Sequence, residues 1–177
     1  LGLVDLGENY AQELDAKRRA LADDPGIRWH MIGPVQRNKA KLVATCTMVH
    51  TVDRIELLDA LEHHAAAAAR TLDVLVQVNI AGEASKSGVA PTAVEPLLDH
   101  AAGCGALRVR GLMTIPPAGE PEQARPHFRA LRQLRDRLAT TARPRVELRE
   151  LSMGMSDDLE VAIDEGATLV RVGTAIF

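Results

Sequence analysis

Short apolar runs alternate along this chain with longer stretches whose apolar residues return every three or four positions. The runs Leu3–Leu6, Ile27–Ile32, Met48–Val52, Leu72–Ile80, Leu107–Ile115, a stretch opening at Leu148, and Leu169–Val172 read as strands. Leu72–Ile80 is the strongest, and its near-continuous apolar character fits a parallel strand covered on both faces.

Helices are expected between the runs. Asn9 caps the first, over a mixed face of Ala11, Leu14, Lys17, Arg18 and Leu21. Val35–Ala44 reads as a second. Asp53 caps a third, with Glu56 at the capping-box position, a buried face starting at Ile55, Leu58 and Leu61, and a helical Ala65–Ala69 run. Thr92 to Glu95 repeats the capping-box pattern, although Pro96 limits that first turn. Phe128, Leu131, Leu134 and Leu138 mark the stripe of a long helix, and Gly166 ends a short one. The only Pro/Gly-rich segment, Pro116 to Pro121, reads as a surface loop rather than a domain boundary.

Strand and helix therefore alternate through a single domain spanning 1–177, which argues for a parallel α/β fold. A β/α barrel is favoured because residues capable of chemistry fall at strand C-terminal ends, which form the active face of a barrel. An open doubly wound sheet is the alternative. It lacks support here because no dinucleotide-type glycine loop follows an early strand.

Composition narrows the function. The apolar fraction is 46% and the net charge is −3, which suggests neither disorder, a membrane span nor a nucleic-acid binder. Aromatics are confined to Tyr10, Trp29, Phe128 and Phe177, so there is no stacking platform for bases. Cys46 and Cys104 are isolated, without zinc spacing, and read as reduced thiols of a cytoplasmic protein. No signal peptide is evident.

The chemistry-bearing strand ends carry Asn9, His30, Lys86, Ser156, Gly173 and Thr174. The last two strands end in groups that suit a phosphate: the Ser156 hydroxyl and the backbone N–H groups after Gly173. Arg171, two residues earlier, is placed to point into the same mouth. The plainer reading makes Ser156 a helix N-cap, with Asp157 and Asp158 complementing the dipole. Two acids in that first turn repel an anion, which favours a site shared with Gly173-Thr174 over one at the helix alone. Taken singly, His30 and His50 read as hydrogen-bonded core or rim histidines, and His63-His64 as a solvated face. Met153 and Met155 read as packing residues. Lys86, flanked by Ser85 and Ser87, lacks the desolvated setting of a catalytic lysine.

Together these segments resemble the YggS-type pyridoxal-phosphate (PLP) homeostasis proteins, single-domain relatives of the alanine racemase N-terminal barrel. The markers run through nearly the whole chain. They are Gly7-Glu8-Asn9-Tyr10, Trp29-His30-Met31-Ile32-Gly33 with Gln36 and Asn38-Lys39, Val49-His50-Thr51-Val52-Asp53-Arg54, Gln77-Val78-Asn79-Ile80, Gly82-Glu83-Ala84-Ser85-Lys86-Ser87-Gly88, Arg110-Gly111-Leu112-Met113, Ser152-Met153-Gly154-Met155-Ser156-Asp157-Asp158 and Arg171-Val172-Gly173-Thr174-Ala175.

The resemblance implies a (β/α)8 TIM-type barrel with PLP at its C-terminal mouth, acting in PLP homeostasis without established catalytic turnover. It places Ser156, Gly173 and Thr174 at the phosphate, Arg171 at the pyridine nitrogen, and Asn9 and His30 along the cofactor pocket. It also implies that the first β/α unit, whose strand carries the PLP lysine, is missing here along with a few residues after the last strand. Seven strands are expected, with the first and last not paired to each other. A PLP-dependent racemase-like enzyme and a phosphosugar-binding barrel enzyme are the alternative functions. A monomer is expected, with PLP-accepting apo-enzymes as partners and no metal, membrane or nucleic acid.

Overall fold

The structure, a computed structural model, describes residues 2–83 and 86–176. Seven strands form one sheet in chain order: β1 (Asp5–Glu8), β2 (Arg28–Met31), β3 (Met48–Val52), β4 (Leu72–Gln77), β5 (Leu107–Met113), β6 (Val146–Met155) and β7 (Leu169–Arg171). Every neighbouring pair is parallel. Parallel strands need crossover connections, and helices α1 (Ala11–Ala20), α2 (Ala40–Val43), α3 (Ile55–Ala67), α4 (Val94–Ala101), α5 (Pro121–Leu138) and α6 (Leu159–Asp164) supply them. The sheet curls into a nearly closed α/β barrel in which β1 and β7 are the edges, and no ladder joins them among the described residues.

Alternation along the strands divides the interior from the helix-facing layer. Val49, Val74, Val76, Leu112 and Leu151 face the helices, where they meet Leu58, Leu61, Leu98, Phe128 and Leu131 in the main core. Met48, Leu75 and Met113, with Leu169 beside them, make a separate small cluster inside the barrel. On β3 and β7 the next inward positions are His50 and Arg171, so a polar layer sits above an apolar one.

Several local expectations are corrected. β1 lies two residues later than the Leu3–Leu6 run, because its register is set by pairing with Arg28–Met31, and Leu3 and Val4 are left exposed. Asn9 does not cap α1: the cap position is Tyr10, with no side-chain hydrogen bond. Asp53 does not cap α3 either. Its carboxylate is held by the Arg54 guanidinium, and Arg54 occupies the cap position. The buried face of α3 begins at Leu57, and Ile55 in the first turn is exposed. Thr92 lies in a 3-10 turn before α4 and caps nothing. After Pro34, Val35–Ala44 forms a 3-10 turn at Arg37–Lys39 and only a short α2. Among the described residues the one complete capping box is at α5, between Glu120 and Gln123. The α5 stripe and the Gly166 stop hold: Gly166 has φ +93°, and the next N–H, of Ala167, returns to the Ala162 carbonyl at 2.9 Å.

Candidate functional site at the barrel mouth

The strand C-terminal ends are tied to one another by buried threonines. Thr51 on β3 donates to the Gly33 carbonyl at 2.7 Å, and Thr114 after β5 donates to the Val78 carbonyl at 2.8 Å. Gly33 is required where the loops after β1 and β2 meet, since a Cβ there would lie 2.0 Å from the Asn9 carbonyl oxygen. Asn9 itself is exposed at the end of β1.

The loops after β6 and β7 converge. The Gly173 N–H donates to the Ser156 hydroxyl at 3.4 Å, and Gly173 opens a tight turn closed by the Ile176 N–H on its carbonyl at 2.7 Å. A Cβ on Gly173 would meet nothing within 4 Å, so the backbone there faces open space. Thr174 is exposed beside it. Ser156 is not the cap of α6. That position belongs to Asp158, whose carboxylate accepts the Met155 N–H at 2.6 Å. The plainer reading of Ser156 therefore fails, and its hydroxyl is turned toward the β7 turn. Asp158 is committed to its own backbone contact and is buried, which limits its repulsion of an anion at the cup. Met153 packs in the core as expected, but Met155 is exposed on the rim.

Arg171 points inward from β7. Its guanidinium donates to the Ser152 hydroxyl at 2.7 Å and to the Thr114 carbonyl at 3.0 Å, spanning β6 and the end of β5. Burial draws its pKa down to about 10, which leaves it charged at neutral pH. Those contacts take only part of its donor fork.

His30 is buried inside the barrel with both ring nitrogens engaged, Nε2 with Asp5 Oδ1 at 3.0 Å and Nδ1 with His50 Nε2 at 2.9 Å. His50 continues to Ser152 through Nδ1 at 2.9 Å. Burial lowers the pKa of both histidines, that of His50 to about 3, and the Asp5 carboxylate only partly offsets this at His30. The reading of His50 as a hydrogen-bonded core histidine holds, but sequence reasoning missed the polar layer it forms with buried Thr114 and Ser152, and the exposed Asp5 at its edge. Its signal was parity: Met48 with His50, and Leu169 with Arg171, share a strand face.

Lys86 does not enter the mouth as a free amine. Its ammonium donates to the Pro116 carbonyl at 2.9 Å and lies 3.5 Å from Glu83, tying two rim loops. Its neighbours Ala84 and Ser85, like Leu1 and Phe177 at the ends, lie outside the described residues. His63 is exposed, as expected, and stacks edge-on against His64 on α3. No group of three or more metal-type ligands occurs among the described residues. No helix among them is long and apolar enough to cross a membrane.

Comparison with known proteins agrees with this architecture. The profile of the alanine racemase N-terminal domain matches residues 2–177. A pyridoxal phosphate homeostasis protein of Aquifex aeolicus is 46% identical over 178 residues, covering 99% of this chain and 77% of that protein. The protein of the same name from Pseudomonas aeruginosa is 47% identical, covering 99% of this chain and 74% of its own length. PipY of Synechococcus elongatus, solved with PLP bound, superposes with a TM-score of 0.91 at 34% identity, covering 99% of this chain and 82% of that one. With its parallel barrel and these relatives, the chain belongs to the pyridoxal phosphate homeostasis protein family, within the alanine racemase N-terminal-domain group.

Proposed function

We propose that this chain binds pyridoxal 5'-phosphate at the C-terminal mouth of its barrel and acts as a PLP carrier in intracellular PLP homeostasis, not as an enzyme. The observation that carries the reading is Arg171, a half-buried, donor-only group at the end of β7, two residues before the cup shared by Ser156 and the Gly173-Thr174 turn. The residues fit the cofactor. The Ser156 hydroxyl and the Gly173 and Thr174 N–H groups would hold the phosphate, with open space beside Gly173. The unused donors of Arg171 would meet the pyridine nitrogen. Asn9 at the rim and His30 inside the barrel would line the pocket. This matches the family membership and the PLP seen in PipY.

When bound, PLP supplies an aldehyde that condenses with amines and a ring that can accept electrons. Arg171 works against the second property. A donor-only arginine obliges the ring nitrogen to accept, whereas carbanion chemistry favours a protonated nitrogen opposite a carboxylate. The only tyrosine, Tyr10, is 65% exposed after β1, a poor setting for a proton-transfer group. Among the described residues β1 and β7 are the two ends of the sheet, and we place the family's lysine-bearing strand between them. We further assign the protein to the cytoplasm, as a monomer, with PLP-accepting apo-enzymes as recipients.

Titration with PLP tests the reading. Saturable binding is expected, with no borohydride-fixed label on Lys86, whose ammonium is already held by Pro116. No binding, or a label mapped to Lys86, refutes the site. Exchange of the alanine alpha proton at enzymatic rates refutes the carrier role.

A further inference from the structure

Five side chains on five strands form one unbroken hydrogen-bonded line through the barrel: Asp5 on β1, His30 on β2, His50 on β3, Ser152 on β6 and Arg171 on β7. The links measure 3.0, 2.9, 2.9 and 2.7 Å. The two ends fix its direction. Arginine can only donate, and an ionised carboxylate can only accept. Burial works against the charge on Asp5, but hydrogen bonds from Arg28 and His30 outweigh it and hold the carboxyl below its usual range.

From the arginine end, Arg171 donates to Ser152 Oγ, so the serine proton is free to go to His50 Nδ1. His50 then carries its proton on Nε2 and donates to His30 Nδ1. His30 carries its proton on Nε2 and donates to Asp5. Every link has one donor and one acceptor with both imidazoles neutral. The charged groups around the pair are Asp5 and Arg28 at one end and Arg171 at the other. An extra proton on His30 turns its Nδ1 into a donor, which moves the His50 proton to Nδ1 and leaves Ser152 receiving N–H groups from both sides. The arrangement at Arg171 therefore depends on a histidine it does not touch.

We propose that His50 is a positioning residue for the cofactor ring: through Ser152 it holds the Arg171 guanidinium in the orientation that meets the pyridine nitrogen. This rests on the reading that Arg171 faces that nitrogen. It predicts that disturbing His50 weakens ring recognition and leaves phosphate recognition intact, because the Ser156–Gly173 cup lies outside the line.

The test compares two phosphate esters that form no covalent bond through an aldehyde: pyridoxine 5'-phosphate, with a pyridine nitrogen, and benzyl phosphate, without one. In His50→Phe, pyridoxine 5'-phosphate affinity should fall about tenfold, the scale of one charge-assisted hydrogen bond, while benzyl phosphate affinity stays level. His50→Asn, which restores an acceptor for Ser152, should recover most of the loss. An equal loss for both ligands, or no loss for either, overturns the proposal. Failure of the parent reading looks different, as equal affinity of the unmutated protein for both esters, and that result also removes the proposal. Should His50→Phe not fold, nitrogen-15 NMR of the unmutated protein decides: His50 must be the neutral Nε2–H tautomer at pH 7, and an Nδ1–H tautomer or an imidazolium overturns the assignment.

Discussion

The Ser156 hydroxyl accepts the Gly173 N–H at 3.4 Å across a sequence separation of 17 residues. The contact is long for a hydrogen bond and spans two loops that share no ladder, so it orients the pair without saturating either group. An anion between them gains the serine proton and the neighbouring N–H groups together. Ser156→Ala removes one charge-assisted hydrogen bond, on the order of 1.5–3 kcal/mol, so PLP affinity should fall by at least about tenfold. Unchanged affinity in a fluorescence titration would show that the hydroxyl takes no part.

Acid should unfold this protein through its interior. His50 titrates near 6.5 when unfolded and about 3 when folded. Burial lowers His30 in the same direction. Between those values the unfolded chain binds more protons, so the stability His50 contributes is complete above pH 6.5 and declines as pH falls toward 3. The slope is up to about 1.4 kcal/mol per pH unit for one such group. Urea midpoints should drop between pH 6.5 and 4.5, and His50→Phe should flatten that decline. A midpoint independent of pH over that range contradicts the neutral buried pair.

Gly33→Ala should be among the most damaging small substitutions in the chain. The added methyl would sit 2.0 Å from the Asn9 carbonyl oxygen, which is backbone and cannot rotate away. Overpacking of this kind costs about 1–3 kcal/mol or more. A thermal melt that is unchanged would show that the loops after β1 and β2 separate easily.

Neither thiol should react in the native state. Burial pushes the Cys46 thiol up to about 12, and burial with Glu62 and Asp59 nearby pushes Cys104 up to about 11. The thiolate is the reactive form, so an aromatic disulfide reagent at pH 8 should label both only after denaturation. Prompt release of chromophore from the folded protein would contradict this.

The layers of the fold were legible in the sequence because burial on both faces leaves a strong trace. Leu72 to Gln77 and the Phe128, Leu131, Leu134, Leu138 stripe fell where their hydrophobicity put them. Boundaries decided by partners were not legible. β1 shifted because Arg28–Met31 fixes its register, and Asn9 and Asp53 had capping chemistry but each stands one residue before the cap position. Ser156, Gly173, Thr174 and Arg171 stood out because they end strands. His50 and Ser152 did not: they are 102 positions apart, and only closure of the barrel brings them together. A lone histidine inside an apolar strand gives no hint of which distant hydroxyl it will meet.

The two unpaired margins of the sheet also set how this chain breathes. β4 and β5 have laddered neighbours on both sides, whereas β1 and β7 each have one. An amide opens by local fluctuation more readily where fewer bonds must break together. Deuterium should therefore enter β1 and β7 first and reach Val74, Val76 and Leu112 last, at rates approaching whole-molecule unfolding. Arg171 sits on the fast-opening side and His50 in the interior. The line that joins them then fastens an edge strand to β3, which has laddered neighbours on both sides, and cutting it at Ser152→Ala should quicken exchange along β7 while leaving β4 untouched.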